Sequence, residues 1–361
     1  MSQQRLVLYA SSFSAALALT MVLTPLAARL ATRFGMLDHP SVHKAHRRPT
    51  PYLGGLALAG GLVLIGGLAA SASGQLLTIL LGGVALGLWG LADDWMTVGP
   101  LVKLFVEAAA GLALWLAGIR AGLFGIYGLD LALTVLWVVT VVNALNMIDN
   151  MDGLSSGIAA IAAFTFFAIA AGRGNYLVAS FALALAGASL GFLRHNFPPA
   201  SIFLGDAGTL MIGFVLAAVG LKLDLVGDSG FVRASIPVLI LGVPLFDMAL
   251  VVAGRARAAR PVYVGGTDHS SHRLAGMGFS GRAIALTNYA AQAACCGVAV
   301  WLMHARRDLV LPVVLGVGVA ALLLLVVLIR VEAGARDASI EPAIEPAGDA
   351  SPLRSPLGRP L

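Results

Sequence analysis

Four amide and carboxylate side chains recur at every third residue of one short stretch: Asn143, Asn146, Asp149 and Asp152. On an ideal α-helix each three-residue step falls about 60° short of a full turn, so the four groups fan over about half the circumference. The apolar run before them, Leu129 to Val142, reads as the second half of a membrane span. Carboxylates at a helix end facing hydrocarbon would each cost roughly 2.5–3.5 kcal/mol. They must therefore face a polar cavity, a cation or cationic side chains. Asp93 and Asp94 close the stretch Gly87 to Trp95, and paired like charges raise one pKa unless a cation or a base accompanies them. Asp206, in Phe203-Leu-Gly-Asp-Ala-Gly-Thr209, opens another apolar run; it can cap a helix or hold a divalent cation against phosphate oxygens. Lys103 either pairs with Glu107 one turn later or serves as counter-ion to the acids or ligand to a phosphate. A loop bearing Arg255, Arg257 and Arg260 leads to Asp268-His269-Ser270-Ser271-His272-Arg273. No second ligand cluster supports zinc there, whereas guanidinium and imidazole groups suit a pyrophosphate. Acids for a hard cation beside cations for phosphate point to phosphoryl-group transfer.

The elements that position these residues follow from composition. Of 361 residues, 59% are hydrophobic and 11% charged, with a mean hydropathy of +0.90. A soluble chain carries about 25% charged residues, so this chain reads as an all-α polytopic membrane protein. Hydropathy marks about eleven transmembrane helices, at 6–31, 52–71, 75–92, 101–119, 129–146, 154–171, 175–193, 207–223, 231–253, 282–303 and 309–330. The first stretch is long enough to span and lacks a small-residue cleavage site, so it reads as a span and not a signal peptide. Residues 1–330 form one integral-membrane domain; 331–361 lack periodicity and read as a disordered tail. Cys295 and Cys296 are neighbours that point about 100° apart on a helix, so they read as packing residues.

Eleven spans put the termini on opposite sides. Sixteen of the 23 Lys and Arg residues then fall on one side and seven on the other, which makes the first side cytoplasmic. Every polar constellation named above, and Asp38 to Gly55 with its further cations, falls on that side. The pattern describes a cytoplasm-facing active-site cleft. A transporter would place polar groups along a path through the membrane and would show repeat symmetry, and neither is evident. The net charge of +5 speaks to topology and not to nucleic acid.

These blocks, in this order, resemble the polyprenyl-phosphate N-acetylhexosamine-1-phosphate transferases, the MraY/WecA superfamily, over nearly the whole chain to about residue 275. The resemblance implies transfer of a sugar-1-phosphate from a UDP-sugar to polyprenyl phosphate in the bilayer, with release of UMP. It implies Mg²⁺ as cofactor, with Mn²⁺ as a possible substitute, and a bacterial cytoplasmic membrane. It assigns Asp93, Asp94 and Asp152 to catalysis, with Asp93 the candidate base or acceptor-orienting acid. Asp206 and Asp152 fall to the metal. Lys44, His46, Lys103, Asn143, Asn146, Asp149, His269, His272 and Arg273 fall to substrate binding. The run Lys44-Ala-His46-Arg-Arg-Pro49-Thr-Pro51-Tyr-Leu-Gly54-Gly55 resembles the WecA/TagO branch, which favours UDP-N-acetylglucosamine. The alternatives are an MraY-like phospho-N-acetylmuramoyl-pentapeptide transferase and, from another class, a membrane transporter. A homodimer is a possible assembly. One departure stands out: where the family commonly shows His-x-His-His, the third position here is Ser271.

Overall fold

The computed structural model describes residues 3–39, 48–96, 98–223, 225, 229–263 and 266–331. Lys44, His46 and most of the tail segment 331–361 lie outside the described residues. The chain forms α1 (Gln3–Arg33), a two-residue hairpin pairing β1 (Leu37–Asp38) antiparallel with β2 (Thr50–Pro51), α2 (Gly54–Ala70), α3 (Gly74–Met96) and α4 (Pro100–Leu116). There follow α5 (Tyr127–Met147), α6 (Leu154–Gly172), α7 (Tyr176–Asn196), α8 (Gly205–Leu221), α9 (Gly230–Ile240) and α10 (Gly242–Arg257). A short α11 (Ser270–Gly276) precedes α12 (Gly281–Leu302) and α13 (Arg307–Arg330). Several starts carry the expected signals. Asn175, Ser229 and Ser280 each accept a hydrogen bond from the amide three residues on, and Pro100 opens α4 where its missing N–H costs nothing.

The architecture is the expected all-α membrane bundle, and each expected span is occupied by a helix or a helix pair. Among the described residues, seven helices are long and apolar enough to cross a membrane, or eight if a bent pair is one span. Of the remaining segments of the expected eleven, α2, α4 and α8 have 17 residues each, which is about 25 Å against a hydrocarbon thickness of about 30 Å. Helix α8 is buried on nearly every face, so protein and not lipid surrounds it. The apolar windows of α6 and α7 are 72% and 78% buried beside it, whereas that of α13 is 6% buried and forms the rim.

The segment 231–253, expected as one span, is two helices meeting at 81° around Leu241. Proline explains the break. Pro244 has no N–H to offer the carbonyl of Ile240 four residues earlier. The freed carbonyl instead accepts from Nε2 of the fully buried Gln292 on α12, with Sγ of Cys296 3.8 Å away. The adjacent cysteines are thus packing residues, one of them at a helix break.

Close approach of α3 and α8 decides where the acids lie. A Cβ built at Gly90 would sit 2.4 Å from the carbonyl oxygen of Asp206, so only glycine lets the end of α3 meet the start of α8. Gly90→Ala is expected to separate the two acid-bearing ends, lowering both thermal stability and any activity of the site. Topology is tested with single cysteines at exposed Met277 and Ala72, in a background with Cys295 and Cys296 changed to serine. The first should react with a membrane-impermeant maleimide only from the cytoplasm and the second only from outside; the reverse labelling overturns the charge-based orientation.

Candidate active site

The C-terminal ends of α3 and α5 and the N-terminal ends of α4, α6 and α8 converge on one end of the bundle. A cavity of about 440 Å³ opens there, within the size range of small-molecule sites. Asp94, Asn146, Asp149, Asp152, Asp206 and His272 all line it. The three-residue spacing thus does fan its groups: Asn146, Asp149 and Asp152 reach the cavity. Asn143 does not; its amide donates to the carboxylate of Glu107, which is 2% exposed, and to the carbonyl of Val139 at 2.9 Å. A buried glutamate requires a donor, and Asn143, expected at the substrate, supplies it here.

Lys103 organises the acids. Its ammonium pairs with Oδ2 of Asp93 and lies 3.2 Å from Oδ2 of Asp206, so it acts as counter-ion to α3 and α8 and not as partner of Glu107. Asp93 is held at its other oxygen by the amide of Val98, at 2.8 Å. Asp206 Oδ1 accepts from Nδ2 of Asn146 at 2.9 Å, and the same amide nitrogen reaches Oγ1 of Thr209 at 2.9 Å. Asp94 Oδ1 accepts the backbone N–H of Asp206 at 3.2 Å, while its Oδ2 is buried with no hydrogen-bond partner among the described residues. Gly205 has φ of 72°, and a Cβ there would meet Asp94 Oδ2 at 2.8 Å, so the backbone itself crowds this carboxylate. Asp152 accepts from the amide of Ala200 at 2.9 Å. Burial, and then the nearby carboxylates of Asp206, Asp152 and Asp94, raise the pKa of Asp149 well above the ordinary carboxylate value. Four carboxyl groups, Asp94, Asp149, Asp152 and Asp206, thus line the cavity, and Lys103 pairs with one of them, Asp206.

The late loop is arranged differently from the expectation of a cationic pyrophosphate cradle. Asp268 lies 3.0 Å from Nε of Arg255 and 2.8 Å from Nη2 of Arg260. Burial alone would raise the Asp268 carboxyl, but those two guanidiniums outweigh it and hold it below its ordinary value. Arg273, expected at the substrate, donates through Nη1 to the carbonyls of Leu328 and Val331 and through Nε to that of Asp268 at 3.1 Å. A guanidinium fork matches the open carbonyls at the end of α13, so Arg273 is a helix cap and does not line the cavity. His269 is also turned from it: Nδ1 lies 2.7 Å from Oδ2 of Asp247, whose Oδ1 accepts from the amide and hydroxyl of Ser270 at 2.8 and 2.6 Å. Only His272 of this motif lines the cavity, its ring centroid 6.0 Å from that of His269.

Two asparagines not singled out in the sequence also belong to the wall. Asn150 accepts from the Ser271 hydroxyl, which ties the late loop to the acid stretch; its place between Asp149 and Asp152 was the available signal. Asn196, within the polar run His195 to Gly208, accepts from the amide of Gly153 at 3.0 Å and donates to the carbonyl of Ile202 at 2.9 Å. Asp247, in the stretch Pro244-Leu-Phe-Asp247, is not in the wall but is the acid that seats His269 and Ser270.

The late loop yields a pH prediction. Because the Asp268 carboxyl is lowered in the fold, its contribution is present above its unfolded pKa and lost as pH falls through roughly 4 and below. Wild-type melting temperature should drop across that range, and Asp268→Asn should start lower at neutral pH and show a shallower acid limb. Parallel profiles would show that the two arginines do not hold the loop.

The glycosyl transferase family 4 model matches residues 76–224, the segment from α3 through α8 that carries this geometry. Over 307 residues the chain is 31% identical to a probable undecaprenyl-phosphate N-acetylglucosaminyl 1-phosphate transferase of Bacillus subtilis, covering 80% of this chain and 83% of that protein. It is 30% identical over 298 residues to a decaprenyl-phosphate N-acetylglucosaminephosphotransferase of Mycobacterium tuberculosis, covering 72% and 74%. A phospho-N-acetylmuramoyl-pentapeptide-transferase of Clostridium botulinum is 52% identical over 62 residues, 17% of this chain and 19% of that one. Similarity of this extent, over a segment whose acids meet in one cavity, makes the chain a member of glycosyl transferase family 4, within the MraY/WecA superfamily.

Proposed function

We propose that this protein transfers N-acetylglucosamine-1-phosphate from UDP-N-acetylglucosamine to polyprenyl phosphate, giving the polyprenyl-diphosphate sugar and UMP, at the cytoplasmic face of a bacterial inner membrane. The observation that carries the reading is an excess of carboxylates around one cavity, with Asp94 Oδ2 buried and without a donor. The Bacillus subtilis and Mycobacterium tuberculosis relatives, matched over most of their length, are named for N-acetylglucosamine-1-phosphate transfer, whereas the pentapeptide transferase matches only a short segment.

The donor set fits a magnesium ion. No group of three or more His, Cys, Asp or Glu with metal-holding geometry exists among the described residues. Mg²⁺ does not require one, since it is held by one or two carboxylates, waters and substrate phosphates. Asp206 and Asp94 would hold it, with Asp152 and Asp149 beside them, and Mn²⁺ could substitute. When bound, it would neutralise the diphosphate of the donor.

The chain's own residues supply position and charge. An oxygen of the polyprenyl phosphate attacks the sugar-bearing phosphorus, the bond to the UMP oxygen breaks, and the charge leaves with UMP. A phosphate monoester has a second pKa near 6 and is largely ionised at pH 7, so no strong base is required. That agrees with Asp93, whose two oxygens are engaged by Lys103 and Val98. Asp93 holds Lys103, and Lys103 offers its remaining donor capacity to a phosphate. Asn146, Asn150 and His272 line the cavity, where they would face the donor. Lys44 and His46 stay assigned to the substrates; Asp38 and Tyr52, on either side of their segment, both line the cavity.

Purified protein with polyprenyl phosphate and a panel of radiolabelled UDP-sugars should form an extractable lipid product from UDP-N-acetylglucosamine, and EDTA should abolish it. Asp206→Ala and Asp94→Asn should each lower kcat by about 10² or more, the scale of losing one preorganised electrostatic contact. Asp93→Asn should lower kcat while its pH profile keeps the wild-type shape. Undiminished turnover in EDTA would remove the metal assignment. A lipid product from UDP-N-acetylmuramoyl-pentapeptide alone would replace the donor.

A further inference from the structure

A second cavity, of about 280 Å³, lies at the other end of the bundle, where the loop after α4 and the first half of α5 meet the end of α8 and the start of α9. It is separate from the acid site: Leu133 in its wall precedes Asn146 by thirteen residues of α5, about 20 Å of helix. Its walls are apolar, with Leu133, Trp137, Leu221 and Pro237 among them, and Trp137 already donates its Nε1–H to the carbonyl of Ala217 at 3.1 Å. Two arginines, Arg120 and Arg233, complete the lining. Arg233 donates through Nη2 to the carbonyl of Gly122 at 3.0 Å, but its Nε is buried with no acceptor among the described residues. Arg120 stacks over Trp115 with its guanidinium carbon 4.5 Å from the ring, and its Nε donates to the Trp115 carbonyl at 3.3 Å. Asp130, a buried acid of the same region, accepts from the amides of Leu123, Phe124 and Gly125, each at 2.9 Å.

A buried guanidinium donor without an acceptor among the described residues is costly, and an apolar wall is not a site for a small, strongly hydrated ion alone. Apolar surface beside two arginines suits an amphiphile with a phosphate head, because the guanidinium fork matches phosphate oxygens and the wall matches methylenes. We propose that this cavity holds the phosphate and first chain methylenes of an anionic phospholipid from the leaflet opposite the acid cavity. The pocket is then a lipid-binding site distinct from that of the polyprenyl-phosphate substrate.

The probes are phosphatidylglycerol, phosphatidylcholine and inorganic phosphate, added to delipidated full-length protein and followed by native mass spectrometry. Phosphatidylglycerol carrying brominated chains locates the site, since it should quench wild-type tryptophan emission more than that of Trp137→Phe. One phosphatidylglycerol should bind ahead of phosphatidylcholine. Arg120→Gln and Arg233→Gln should each weaken it by about tenfold, the scale of one charge-assisted hydrogen bond. Ala234→Leu, which fills the cavity and leaves both arginines in place, should weaken it too and covers the case in which an arginine variant fails to fold. Equal retention of phosphatidylcholine would reduce the pocket to an apolar groove. Displacement by equimolar inorganic phosphate would make it a small-anion site. Unchanged binding in a folded Arg233→Gln or Ala234→Leu protein would place the lipid elsewhere. Each of these three results overturns the proposal.

Discussion

One ammonium group fixes the geometry on which the rest of the site depends. Lys103 on α4 reaches carboxylates on α3 and α8, so three helices are joined at their polar ends. In a membrane, apolar helix faces gain little from meeting each other compared with meeting lipid, and close packing and polar contacts decide which helices touch. The glycine face of α3 supplies the packing, and the lysine with its two acids supplies the polar contact. Asn146 then adds α5 through Asp206.

That arrangement leaves a definite imbalance. Lys103 offsets two carboxylates, while Asp94, Asp149 and Asp152 stand around the same cavity without a cationic partner in contact among the described residues. Like charges gathered out of water repel, and the site relieves that repulsion by protonation or by taking up a cation. A divalent cation arriving with a diphosphate satisfies both partners at once, because the phosphates bring the negative ligands and the acids keep the ion at one wall.

Much of the fold was legible because hydropathy and helix capping are local properties. The segment expected at 154–171 is a helix at Leu154–Gly172, and that expected at 129–146 runs Tyr127–Met147. The break at Leu241 was less legible, since Pro244 ends a hydrogen-bond ladder only where a distant side chain, Gln292, can take over the freed carbonyl. The candidate site was legible as residue types and much less as partners. Asp94, Asn146, Asp149, Asp152, Asp206 and His272 share one cavity, as their chemistry suggested. Asn143, His269 and Arg273 face Glu107, Asp247 and the end of α13 instead. A polar side chain near a site serves equally well as a cap or a buried partner, and only the three-dimensional neighbour distinguishes these uses. Arg273 and its acceptor at Leu328 are 55 residues apart, beyond the reach of any local pattern.

The most direct measurement follows the donor's phosphates. With UDP-N-acetylglucosamine labelled at the β-phosphate and polyprenyl phosphate as acceptor, phosphosugar transfer places the label in the lipid and releases UMP in equal amount. Simple glycosyl transfer would release labelled UDP and leave the lipid without the label. The geometry described here, with its acids and lysine gathered for a diphosphate, predicts labelled lipid and UMP; labelled UDP would contradict it.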